Sequence, residues 1–173
     1  MLSLSDNEFS VLSFLVRNFT EKLTIRNIAQ RLNFSPAGVF NILKKLEKQN
    51  IVKGQKLGTG LFYEINFENK IAEHLAKIVL LHSDEKFEKI NHAHLKHARA
   101  AIFAGKILLL ITDNVTSIDI QLSNIEIITK TEDEIIDLLR KKDSATLQLL
   151  KKGIVLFGED KIVEIIKNCV SRF

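Results

Sequence analysis

A chain of 173 residues that is 46% hydrophobic can bury one large core or two small ones, which excludes a disordered chain. Its single cysteine, Cys169, can close no internal disulfide, the N-terminus MLSLSDNEF lacks a basic segment ahead of an apolar core, and no apolar run approaches the ~20 residues of a membrane span. These features give no sign of a disulfide scaffold or a membrane-spanning helix, and a soluble cytoplasmic protein is expected.

The formal charge of +4 is unevenly spread. Between Arg17 and Lys56 stand nine basic residues (Arg17, Lys22, Arg26, Arg31, Lys44, Lys45, Lys48, Lys53 and Lys56) against Glu21 and Glu47, whereas Leu81 to Phe173 carries fourteen of each sign. A local positive excess of this kind is suited to phosphate backbones, where released counter-ions drive association.

In chain order, a first helix is expected from about Asp6 to Asn18. Ser5 and Glu8 are spaced as a capping box, and Phe9, Leu12, Leu15, Val16 and Phe19 form its inward face. Leu23 to Asn33 (LTIRNIAQRLN) follows as a short helix capped by Thr24, with Ile25, Ile28, Ala29 and Leu32 on one stripe. Asn33 and Phe34 then make a tight turn into Ser35 to Gly54 (SPAGVFNILKKLEKQNIVKG). Ser35 is a good N-cap, and Pro36 suits the first helical position, where a missing N–H costs nothing. At 100° per residue Val39, Ile42, Leu43 and Leu46 share one stripe, and Ala37, Asn41, Lys44 and Lys48 lie opposite with Lys45 beside them. Gly38 weakens the helix by roughly 1 kcal/mol, which a close backbone approach to DNA or to the preceding helix would explain. Ile51–Lys56 and Leu61–Ile65 read as two strands joined by Leu57-Gly58-Thr59-Gly60.

Helix, helix, helix and hairpin is the order of a winged helix. Residues 5 to 66 resemble the winged helix-turn-helix domains of archaeal and bacterial transcriptional regulators, above all in LTIRNIAQRLNFSPAGVFNILKKLEKQNIVKG followed by GTGLFYEIN. The resemblance implies that the helix from Pro36 enters the major groove of double-stranded DNA. Ser35, Ala37, Asn41 and Lys44 would then stand nearest bases or flanking phosphates, with Lys45 and Lys48 on the same helix, Thr24 and Arg26 at the start of the preceding one, and Lys56 and Thr59 near a neighbouring groove. Asn41 is the candidate base reader, because an amide can bond an adenine edge bidentately; a phosphate contact is the alternative.

Beyond the wing, Phe67 to Leu81 reads as a helix with Ile71, Ala72, Leu75, Ile78 and Val79 on one stripe, suited to a second copy of the chain or, alternatively, to packing onto its own domain. A further helix is expected from Asp84, capped by Ser83, carrying Phe87, Ile90, Leu95 and Ala98 and ending near Gly105. It holds His92, His94 and His97, but positions 92 and 94 point about 200° apart on a helix and no cysteine or carboxylate completes a ligand set, so no metal site is expected. The remainder alternates elements: strands Ile107–Thr112, Ile118–Leu122 and Ile125–Thr129, helices Glu132–Lys141 and Ala145–Lys152, a strand Ile154–Phe157 and a last helix Asp160–Val170. The expected fold class is α+β, with a winged helix over 1–66, a helical connector over 67–104 and a small α/β domain over 105–173.

The run LLKKGIVLFGEDKIVEIIKN resembles the end of minimal nucleotidyltransferase domains of the polymerase-beta superfamily, which archaea often fuse behind a winged helix, and IEIITKTEDEIIDLLRKKDSATLQLLKKG fits the segment before it. That family carries a Gly-Ser turn for the triphosphate and an Asp-x-Asp pair for two magnesium ions. Here AAIFAGKILLLIT stands in their place, with Lys106 and Leu108 where the carboxylates would be. The resemblance thus implies a degenerate, non-catalytic module used for dimerisation or for binding a protein partner. No catalytic residue, metal ligand or cofactor is expected. The reading is of a sequence-specific DNA-binding transcriptional regulator acting as a homodimer. The alternative is an active nucleotidyltransferase with metal ligands elsewhere, and a third reading makes the winged helix a protein-interaction module.

Overall fold

The computed structural model describes residues 3–82, 95, 97–114 and 124–170. The chain divides into two compact units, Met1–Val79 and Leu80–Phe173.

The first unit begins with α1 (Asp6–Arg17), whose Ser5 hydroxyl accepts from the Glu8 N–H while the Glu8 carboxylate accepts from the Ser5 N–H, the expected capping box. Leu12, Leu15 and Val16 are buried as expected and Val11 joins them, while Phe9 and Phe19 are only half-buried. A two-residue strand, β1 (Leu23–Thr24), precedes α2 (Ile25–Leu32); its side chains are too few to leave a periodic signal. Asn33 ends α2 in the left-handed conformation (φ 56°, ψ 40°), and the Phe34 N–H bonds back to the Ala29 carbonyl at 2.9 Å. This turn leads into α3 (Pro36–Lys48), which buries Val39, Leu43 and Leu46. The wing is a hairpin of β2 (Val52–Leu57) and β3 (Gly60–Ile65) in the register Val52↔Ile65 to Leu57↔Gly60, closed by the two residues Gly58 and Thr59. β1 pairs with the other edge of β3, giving the order β1-β3-β2.

One polar knot holds the base of the wing. Asn50 takes the left-handed conformation (φ 59°) just after α3, and the buried Asn66 amide donates to the Asn50 carbonyl and side-chain oxygen at 3.1 and 2.9 Å. Asn69 adds a bond to the same carbonyl at 2.9 Å, so the end of α3 and the end of β3 are tied through one backbone oxygen. After the knot comes α4 (Lys70–Leu81), three residues shorter at its start than expected.

The second unit holds a four-stranded mixed sheet in the order β6-β5-β4-β7. β4 (Ala98–Ala104) and β5 (Ile107–Thr112) form an antiparallel hairpin with Gly105 (φ 64°) and Lys106 at the turn. Residues 98–104, which the sequence pattern assigns to a helix, are a strand instead. The apolar content fits either state, and pairing on both edges decides it, with β5 on one side and β7 (Ile154–Phe157) on the other. β6 (Glu126–Thr131) runs parallel to β5, and α5 (Glu132–Arg140) and α6 (Ser144–Lys152) lead to β7 before α7 (Glu159–Val170) closes the chain. The central strand ILLLIT is buried on both faces, as its unbroken apolar run requires. Leu108 and Leu110 pack with Leu95 and Ala101 on one face. The expected strand Ile118–Leu122 and the helix start at Asp84, with His92 and His94, lie outside the described residues.

Two glycines are required where the chain turns into and out of β7. A Cβ on Gly153 would lie 2.3 Å from both the Leu149 carbonyl and Ile102, and one on Gly158 (φ 77°) would lie 2.2 Å from the Arg99 carbonyl. Among the described residues no helix is long and apolar enough to cross a membrane.

Candidate nucleic-acid interface

The candidate surface is the outward side of α3 with the adjoining wing. Ser35 caps α3 through its Oγ, which accepts from the Gly38 N–H at 3.1 Å, and Pro36 occupies the first turn as expected. Gly38 meets only that hydroxyl, 3.0 Å from where a Cβ would sit, so the expected close approach to the preceding helix is not what the glycine accommodates. Pro36, Ala37, Asn41, Lys44, Lys45 and Lys48 are all exposed. The burial of Val39, Leu43 and Leu46 fixes the rotation of the helix and thereby presents these residues.

The lysines are not equivalent. Lys44 lies 2.7 Å from the Glu47 carboxylate three residues on, and that hydrogen bond raises its pKa above the ordinary lysine value. Lys45 turns toward α1 and lies 2.6 Å from Glu8 Oε1, so it braces the helix pair and leaves the face it was expected to share. Lys48 at the end of α3 and Lys56 near the wing tip form no ion pair among the described residues. Thr59 is exposed in the hairpin turn. In the helix before, Thr24 spends its side chain on the cap of α2, accepting from the Asn27 N–H and donating to Asn27 Oδ1 at 2.6 Å, while Arg26 is exposed in the first turn.

The nine positive charges counted along the sequence are thus reduced in effect. Arg31 pairs with Glu21 beneath a cation–π contact to Phe14, Lys53 pairs with Glu64 at 3.4 Å, and Lys44 and Lys45 have the carboxylates already named. Exposed pairs of this kind are worth under about 1 kcal/mol each, so a phosphate can recruit Lys44 at small cost. Lys45 is held more firmly, because the Glu8 side chain is only 7% exposed.

Sequence reasoning missed Phe40. It sits on α3 between Ala37 and Lys44, 43% exposed, with the Lys44 ammonium 6.0 Å from its ring centre. Its helical angle falls at the margin of the apolar stripe, the one signal that could have set it apart from Val39 and Leu43. Leu61 on β3 is also exposed, and its Cδ1 lies, like the Glu47 carboxylate, against Gly54 on the wing face next to α3.

The second unit has a polar cleft of about 210 Å³ at the carboxyl ends of β5 and β6, lined among others by Arg99, Asp113, Thr131, Glu132 and Lys161. Apart from Asp133, its charged side chains are paired. Arg99 binds Asp113 at 2.7 Å and holds that carboxyl below the usual range, and Lys161 lies 2.8 Å from Glu132 and 2.7 Å from Glu164, bonds that raise its own pKa. Among the described residues no three His, Cys, Asp or Glu side chains converge to hold a metal ion.

Residues 2–58, about one third of the chain, match the model of the MarR family, a stretch that ends at the wing tip. Among solved structures, CymR (YrzC), the global cysteine regulator of B. subtilis, is similar over 56% of this chain and 80% of its own, with 18% sequence identity and a TM-score of 0.35. No curated protein matches the chain. With α2, the Asn33 turn, α3 and the β2–β3 hairpin in that order, the N-terminal unit is a winged helix-turn-helix, and the MarR-family match falls within it.

Proposed function

We propose that the protein is a sequence-specific transcriptional regulator that binds duplex DNA as a homodimer through α3 and the wing. The observation that carries this reading is the outward face of α3 within a MarR-family winged helix, where Ala37, Asn41, Lys44 and Lys48 are exposed together behind a Ser35–Pro36 cap. The first residues of such a helix reach base edges, while lysines farther along meet phosphates. The test is binding to random-sequence and selected duplexes across a salt series. If a dimer neutralises six to ten phosphates, affinity falls about 10³- to 10⁵-fold between 50 and 200 mM salt, and a flat response overturns the reading.

In this reading the C-terminal unit is a degenerate nucleotidyltransferase-like module that serves assembly or a protein partner. The required glycines Gly153 and Gly158 and the β4–β5 hairpin beside a parallel β6 support the kinship. Among the described residues, those standing in the place of the metal carboxylates do not fit a bound pair of magnesium ions. Lys106 occupies the two-residue turn, Leu108 is fully buried, and Asp113 already binds Arg99. A thermal-shift series with ATP, CTP, GTP and UTP plus magnesium tests this assignment. Metal-dependent stabilisation by any of them, followed by label transfer, would replace it with the enzyme reading.

A further inference from the structure

We propose that Phe40, with Ala37 beside it, reads thymine methyl groups in the major groove, making Phe40 a specificity-determining residue of the interface. The inference rests on the DNA-binding reading above. Every other large apolar side chain of α3 is turned away from solvent: Val39, Leu43 and Leu46 are buried and Ile42 is half-buried. Phe40 alone stands out, 43% exposed, in the first half of the helix, where a recognition helix approaches base edges.

The surroundings of the ring decide what covers it. Asn41, Lys44 and Lys48 share its side of the helix, and the Lys44 ammonium lies 6.0 Å from the ring centre. An apolar protein partner would have to desolvate those lysines, whereas a polyanion is complementary to them. In the major groove the one apolar group among the four bases is the thymine C5-methyl, and Phe and Ala side chains are among those that contact it. Asn41 next in sequence offers an amide suited to adenine, so the adjacent pair Phe40 and Asn41 is chemically matched to the two halves of A·T base pairs.

The experiment removes the methyl and nothing else. A preferred duplex is selected from a random pool with the full-length protein, and each thymine is replaced in turn by deoxyuridine. Wild-type affinity should fall about fourfold at one or two positions per half-site, the loss corresponding to one buried methyl. Phe40→Ala should shrink the preference for thymine over deoxyuridine to what Ala37 alone supplies, while Phe40→Leu keeps more of the difference. A selected site without thymine, an affinity indifferent to every replacement, or a Phe40→Ala protein with the wild-type ratio would each overturn the assignment while leaving DNA binding itself intact. Absence of binding to any duplex would remove the DNA-binding reading and this one together. Phe40 is 43% exposed and not among the buried core residues, so the Ala variant should keep the wild-type circular dichroism spectrum.

Discussion

The Lys45 ammonium lies 2.6 Å from the carboxylate of Glu8, a residue 37 positions earlier, and the same carboxylate caps α1 by accepting from the Ser5 N–H at 2.9 Å. One nearly buried acid therefore serves a helix start and the seating of α3 together. Burial pushes the Glu8 pKa up, but the bonds from Lys45 and Ser5 outweigh it and the net shift is downward.

The pH dependence follows from that direction. A carboxylate with a lowered folded-state pKa adds stability above its unfolded value, about 4.3, and the contribution disappears as pH falls through the folded value. Glu8→Gln should therefore cost about 1–2 kcal/mol at neutral pH, and the gap to wild type should narrow as the pH falls below the unfolded value and through the lowered folded one. Lys45→Met should show a similar loss at neutral pH. Urea denaturation at a series of pH values checks both; a gap that persists at low pH contradicts the assignment.

Glycine positions separate strain from collision. Gly105 has φ 64° with nothing within 4 Å of where a methyl would sit, so Gly105→Asn should be nearly neutral, within about 0.5 kcal/mol. Gly158→Ala combines a left-handed residue with a methyl driven 2.2 Å from the Arg99 carbonyl and should cost about 2–5 kcal/mol. Chemical denaturation of both variants is the measurement, and equal stabilities would refute the distinction.

The lysines proposed to face DNA should divide by environment. Lys48→Ala, with no ion pair to lose among the described residues, should weaken binding to all duplexes alike and lower the salt slope by about 1. Asn41→Ala should instead lose about 1–3 kcal/mol of discrimination at one base pair while keeping non-specific affinity. Competition between selected and random duplexes distinguishes the two, and a preference unchanged by Asn41→Ala removes the base-reading role.

Assembly is expected to use α4. The stripe expected from sequence is split in the fold: Leu75, Val79 and Ala72 are buried, while Ile71 and Ile78 are 51% and 54% exposed and continue to Leu81. Positions 71, 78 and 81 form a narrow seam at helical spacing, suited to the same seam on a second copy. The double variant Ile71→Ser, Ile78→Ser should be monomeric in sedimentation equilibrium where the wild type is a dimer at micromolar concentration. A monomeric wild type, or a dimer that survives both changes, refutes the placement.

The local grammar of the chain is legible without the fold. Ser5, Thr24 and Ser35 announce three helix starts, the Val39–Leu43–Leu46 period fixes which side of α3 faces out, and Gly58 marks the wing turn, because caps, helical phase and positive φ are set by neighbours a few residues away. What depends on distant partners is not legible. Residues 98–104 are a strand only because β5 and β7 flank them, β1 exists only because β3 lies beside it, and Leu75 separates from Ile71 and Ile78 only through burial. Charge shows the division most sharply. Composition puts Lys44, Lys45 and Lys48 in one basic helix, whereas tertiary packing sets Lys45 against Glu8 across the helix pair, since a buried carboxylate in a low-dielectric setting binds whichever cation the fold brings within reach.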